Sequence, residues 1–148
     1  MHILLLILSI LSPSHSKSPV NWSTEAHKIN AQEYKLVFIA TIEDGWNIYS
    51  QYMKGDDGPV KTSFTFDSKE GFVCIGKNEE SGDIKKIMDE LFGMEVIKIK
   101  HKAVFTQIIK VTDGSKLITG NIEYMCCNDQ QCLPPKQVPF TFDLKSAN

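Results

Sequence analysis

Residues 34–42 read Tyr34-Lys35-Leu36-Val37-Phe38-Ile39-Ala40-Thr41-Ile42, and this stretch decides the fold class. Tyr34, Leu36, Phe38, Ala40 and Ile42 fall on one side of a two-residue repeat, with Lys35 and Thr41 on the other. That period belongs to a β-strand that covers a core with one face. Similar stretches recur on both sides of it, at Val20–Ala26, Trp46–Tyr52, Thr62–Asp67, Gly71–Ile75, Val96–Lys110, Lys116–Cys127 and Val138–Leu144. Turn-forming clusters separate them, among them Glu43-Asp44-Gly45, Gly55-Asp56-Asp57-Gly58-Pro59 and Thr112-Asp113-Gly114-Ser115. Only Asp83–Leu91 hints at a helix. The pattern predicts an all-β chain folded as an antiparallel β-sandwich with one short helical segment. A parallel α/β fold needs long helical crossovers, and none is written here.

Composition agrees with one such domain. The chain has 148 residues, 42% hydrophobic and 23% charged, enough for a single core. Its 16 basic residues are all lysine, and its net charge is −2. Bidentate phosphate or guanine recognition is the usual work of arginine, so nucleic-acid binding is excluded as a reading. The apolar run Ile3–Leu11, the breaker Ser12-Pro13 and the small-residue pattern Ser14-His15-Ser16 read as a secretory signal peptide over residues 1–16. Residues 17–148 are then the exported domain, with no later run long enough to span a membrane. Export places the four cysteines where disulfides can form.

Three of those cysteines cluster in Glu123-Tyr124-Met125-Cys126-Cys127-Asn128-Asp129-Gln130-Gln131-Cys132-Leu133-Pro134-Pro135, and Cys74 stands alone between Val73 and Ile75. Four cysteines allow three pairings. On the strand entering the loop, Ile122, Tyr124 and Cys126 share one face, and the apolar pair marks it as the core side. Cys126 is therefore read as an inert buried thiol, Cys127 as pointing the other way, and Cys74 as a free thiol on an interior strand. A Cys127–Cys132 bridge would close so small a ring that chain entropy returns only about 2 kcal/mol. Spacing alone leaves two uses for such a bridge, reversible redox chemistry and a plain loop staple. Zinc and blue-copper sites lack the clustered histidines they need, so no metal is assigned. Asp89-Glu90 reads first as the solvated end of the short helix.

Four segments in order carry a resemblance: Gly45-Trp46-Asn47-Ile48-Tyr49-Ser50, Gly58-Pro59-Val60-Lys61-Thr62, Asp89-Glu90-Leu91-Phe92-Gly93, and Tyr124 through Pro135. Together they resemble the N-terminal periplasmic domain of the thiol:disulfide interchange protein DsbD, over about residues 20–144. The resemblance implies an immunoglobulin-like sandwich with one redox-active pair, Cys127 and Cys132. It implies a cap loop over that pair, matched by Asp89 to Gly93, with Leu91 at the position of an aromatic shield, Phe92 beside it, and Tyr49 next to the site. It further implies a periplasmic thiol:disulfide oxidoreductase of the protein-disulfide reductase type; the domain is expected to be a monomer with no bound cofactor. Its electrons would come from a membrane electron-transfer protein and go to oxidised thioredoxin-like periplasmic proteins. Cys132 would be the sulfur that bonds to partners, with Cys127 resolving.

Three departures qualify it. Four residues separate the paired cysteines, one fewer than in the best-known members, and Cys126 adds a third thiol. The sequence runs out at Asn148, which sets the expectation of a free-standing copy served by a separate membrane protein. Around the pair, Asp129 is the nearest charge in the sequence, and a negative neighbour raises a thiol pKa. That suits a relay more than an independent catalyst. The alternative, from a different class, is a non-catalytic secreted binding module with a structural loop disulfide.

Overall fold

The computed structural model describes residues 17–114 and 116–148. The signal-peptide reading of residues 1–16 lies outside them. Nine strands follow in order: β1 (Val20–Lys28), β2 (Glu33–Ile42), β3 (Asn47–Tyr49), β4 (Ser63–Phe66), β5 (Phe72–Asp89), β6 (Met94–Val111), β7 (Leu117–Tyr124), β8 (Cys126–Cys127) and β9 (Lys136–Asp143). All pairings are antiparallel. One sheet runs β1-β2-β6-β3-β8 with β5 on the other side of β6; the second runs β4-β7-β9. The immunoglobulin-like sandwich expected from the sequence is the architecture found.

The decisive stretch turns the expected face to the core, although Val37 on the opposite face is also buried and Ile39 half-buried. Leu36, Phe38 and Ala40 are completely buried, while Lys35 and Thr41 are exposed. Phe38 carries the contact between sheets: its ring lies 4.4 Å from Phe64 of β4, 4.9 Å from Phe140 and 5.1 Å from Phe142 of β9. These separations fall in or just below the range where tilted and edge-to-face ring pairs add to simple burial. Trp22 closes the same cluster against Phe105 and Tyr124.

β6 is the spine of the larger sheet. One edge runs along β5, and the other pairs with β2 through residues 102–110 and with β3 through Lys98 and Ile99. The β5–β6 hairpin therefore extends past β2 to the place where β3 and β8 lie. It bends at a register shift between Gly82 and Asp83, where a Cβ on Gly82 would stand 2.3 Å from the Lys102 carbonyl oxygen and φ is +144°. Only glycine fits there.

Two expectations are corrected here. Asp83–Leu91 is not helical: residues 83–89 continue β5, in register with Met94–Lys100, and a turn follows. Pairing with the β-branched strand β6 overrides the local helical tendency, as tertiary context commonly does. The described helical structure is a short 3-10 turn, Leu144–Ser146. Cys74 does not lie on an interior strand. β5 pairs only with β6 among the described residues, so Val73 and Ile75 are 48% and 41% exposed and Cys74 itself is exposed.

Candidate active site

The strand expected over Lys116–Cys127 is divided at Met125, and this division builds the site. β7 belongs to the smaller sheet and β8 to the larger, so the chain crosses between sheets at Met125. Two neighbouring residues then face opposite ways. Cys126 joins the main core beside its register partner Ile48, with Ile99 on the far side of Ile48. Cys127 faces outward yet is completely covered, in a second cluster with Tyr49, Met53 and Val96. Phe92, Met94, Met125 and Cys132 pack around that cluster.

Cys127 and Cys132 are bonded, with sulfurs 2.00 Å apart and Cα atoms 4.0 Å apart. The turn between them is set by Asn128. Its side-chain oxygen accepts from the amides of Gln130 (2.9 Å) and Gln131 (2.8 Å), and its own amide donates to the Gln131 carbonyl. This is the local bonding that favours asparagine at a loop start. Beyond the turn, Leu133 donates its amide to the Cys126 carbonyl at 2.9 Å, fastening the exit to the strand. Cys127 is wholly buried, Cys132 only partly, and Pro134 and Pro135 lie exposed alongside. Cys74 and Cys126 are free; burial pushes both thiols up, with Lys69 and Lys136 respectively pulling the other way.

The turn at residues 90–93 lies over this cluster. Gly93 adopts φ +62° and donates its amide to the Asp89 carbonyl. Asp89 Oδ1 accepts from the amides of Leu91 (2.8 Å) and Phe92 (3.2 Å), and Oδ2 meets Lys98 Nζ at 2.6 Å. Burial would raise the Asp89 carboxyl, but Lys98 and the two amides outweigh it and hold it below its usual range. Asp89 is thus a buried ion-pair partner and not a solvated helix end. Glu90 is exposed. Phe92 stacks edge-on against Tyr49, with ring centroids 6.0 Å apart, and touches the cluster that holds both cysteines. Leu91, expected at the shielding position, is 49% exposed and instead lines a cleft of about 390 Å³ with Met88, Asp89, Lys98 and Asp129. Of the two residues expected at the cap, Phe92 is the one that packs on the cysteine cluster.

Two residues escaped the sequence reading. Lys98 has no local signal, since it reaches Asp89 only through the β5–β6 hairpin. Asn47 stands directly opposite Cys127 across β3 and β8. In the sequence it is one polar residue within the Gly45–Ser50 segment, with no local sign of a role. Tyr49, buried on the same face, has its hydroxyl pushed up to about 12 by burial, with the Asn47 amide acting against that rise and Asp89 and Cys126 adding to it.

The site and fold together define an immunoglobulin-like sandwich with a covered disulfide on its outer sheet face. No protein-family model matches the chain, and no curated protein sequence does. Among solved structures, the N-terminal periplasmic domain of ScsB from Proteus mirabilis superposes with a TM-score of 0.66 over 88% of this chain, at 14% identity. The chain spans about half of that structure, 49% of its length. The N-terminal domain of DsbD from Neisseria meningitidis, in its reduced form, superposes with a TM-score of 0.54, at 18% identity, covering 82% of this chain and 84% of that one. At these identities the likeness is one of fold, and it agrees with the resemblance read from the four segments.

Proposed function

We propose that residues 17–148 form a periplasmic thiol–disulfide relay module, with Cys127 and Cys132 as its reacting pair. The observation that carries this reading is the placement of the bridge. It closes a ring too small to stabilise the fold much, on an outer face, with one sulfur half-open beside two prolines and the other sheltered under Phe92 and Tyr49. The likeness in fold to the DsbD and ScsB N-terminal domains supports it.

In the reduced module, the Cys132 thiolate attacks the disulfide of an oxidised thioredoxin-like protein, forming a mixed disulfide and releasing one partner thiol. Cys127 then gives up its proton and attacks Cys132 Sγ. The second partner thiol leaves and the Cys127–Cys132 bridge re-forms. Two electrons and two protons have passed to the partner. A membrane electron-transfer protein reverses these steps on the oxidised module and recharges it. Asp89, Glu90, Leu91 and Phe92 form the cap region, with Asp89 as its anchor and Phe92 as its cover. No bound cofactor takes part.

The reduction potential tests the reading. A relay pair equilibrates with glutathione and thioredoxin-like proteins, at a potential above about −300 mV. A lower value, with no exchange, would leave a structural staple on a binding module.

A further inference from the structure

Asn47 is 2% exposed, and its side-chain Nδ2 has no hydrogen-bond partner among the described residues. A buried, unpaired amide donor is costly, and native structures keep few of them. This one is placed opposite Cys127, and directly opposed residues on antiparallel strands project on the same face with Cβ atoms roughly 5 Å apart. The Tyr49 hydroxyl, two residues along that face, is also buried and unpaired. The bridge is oxidised in this structure, so Cys127 Sγ is a disulfide sulfur, a poor acceptor. Reduction turns it into a thiol and, on ionisation, a thiolate, which accepts strongly.

From this juxtaposition we infer that Asn47 is a positioning residue for the redox pair, donating its side-chain amide to Cys127 Sγ in the reduced state and so setting the balance between disulfide and dithiol. The chemistry is the two-electron exchange already described: the Cys127–Cys132 bond breaks, a dithiol partner supplies two electrons and two protons, and the partner becomes the disulfide. Asn47 takes part in no bond change. It weights one side of the equilibrium, because its unmet donor burdens the oxidised form and is satisfied in the reduced form. The inference rests on the relay reading for its purpose, but its physical content is a difference between two redox forms of this domain.

Lys98 does not supply the same service, since its ammonium is committed to Asp89 at 2.6 Å. Among the described residues, the Asn47 amide weighs on the neighbouring Tyr49 hydroxyl without completing a hydrogen bond, so both keep a donor for a sulfur on the β3 face.

The test uses Asn47→Leu, which keeps the shape and removes the donor, and Asn47→Asp, which replaces the donor with an acceptor. Three quantities are read on residues 17–148: the equilibrium constant for reduction by glutathione, the melting temperatures of the oxidised and reduced forms, and the Cys127 titration. The titration is followed by its 13Cβ shift in the Cys132→Ser background. Asn47→Leu is expected to disfavour reduction roughly tenfold, the order of one hydrogen bond to a charged acceptor. It should also melt no lower than wild type when oxidised but lower when reduced. Both variants should raise the Cys127 pKa, Asn47→Asp more. An unchanged constant with equal melting shifts in both forms would make Asn47 a structural residue only and overturn the inference. A Cys127 titration indifferent to both variants would overturn it as well. If wild type fails to exchange with glutathione at all, the relay reading falls, and the Cys127 titration still decides the role of Asn47.

Discussion

Asp89 and Lys98 meet at 2.6 Å, both buried, at the root of the turn that lays Phe92 over Tyr49. The carboxylate has a second task at its other oxygen, where it holds the Leu91 and Phe92 amides. One charge thus fixes both the position of the turn and its shape. Taking away either partner leaves the other buried and unpaired, which is the expensive way to break such a pair. Lys98→Met should therefore cost about 3 kcal/mol of stability. Adding Asp89→Asn to it should restore most of that loss, and a double-mutant cycle by urea unfolding measures both.

The same pair has a pH signature. The folded Asp89 carboxyl lies below its ordinary value, so the unfolded chain binds its proton first as pH falls. The stabilisation is complete above the unfolded value near about pH 4 and is lost as pH drops through the folded one. The melting temperature of wild type should fall more steeply than that of Asp89→Asn below about pH 4. Parallel curves would show that the pair contributes no such linkage.

Access to the bridge should depend on Phe92 and hardly on Leu91. Phe92 packs on the cluster of both cysteines, whereas Leu91 points its exposed side chain into the neighbouring cleft. Phe92→Ala is expected to speed reduction by dithiothreitol several-fold with the fold retained by circular dichroism, while Leu91→Ala leaves the rate within twofold. Equal rates in both variants would remove the cap from the reading.

The pair should act unevenly. Cys132 is partly open and Cys127 fully covered, so a partner sulfur reaches Cys132 first. Cys127→Ser should accumulate a mixed disulfide with an oxidised thioredoxin-like protein, because the remaining neighbour, Cys126, faces the core. Cys132→Ser should trap far less. Non-reducing gels give the answer, and equal trapping would mean undivided roles.

Of the two free thiols, the exposed one should react, but slowly. Cys74 is accessible, yet partial burial raises its pKa against the pull of Lys69, leaving little thiolate at neutral pH. Iodoacetamide should label Cys74 and spare Cys126 in the folded protein, with the rate still climbing as pH rises beyond the ordinary thiol range. Peptide mass mapping after timed labelling measures it; labelling of Cys126 would contradict its core position.

What the sequence disclosed followed from periodicity. The faces of Leu36, Phe38 and Ala40, and the opposed directions of Cys126 and Cys127, are both consequences of a two-residue repeat, and the structure has them as read. The far half of β5 was illegible for the opposite reason. Asp83–Asp89 has no strong repeat of its own and becomes a strand by pairing with β6. Lys98 and Asn47 depend on register between segments distant in sequence, which no local pattern encodes. The apolar neighbours of Cys74 suggest burial in the sequence, whereas among the described residues they stand on an edge strand with an uncovered outer face.

The opposed directions of Cys126 and Cys127 make this segment intolerant of changes in length. A single residue lost or gained between Tyr124 and Cys126 would turn the strand over by one step. The sulfur now sealed in the core would then meet Cys132, and the present one would be locked away, with every cysteine still in place. Two related chains could keep all four cysteines, align almost perfectly, and yet differ in which sulfur does the chemistry.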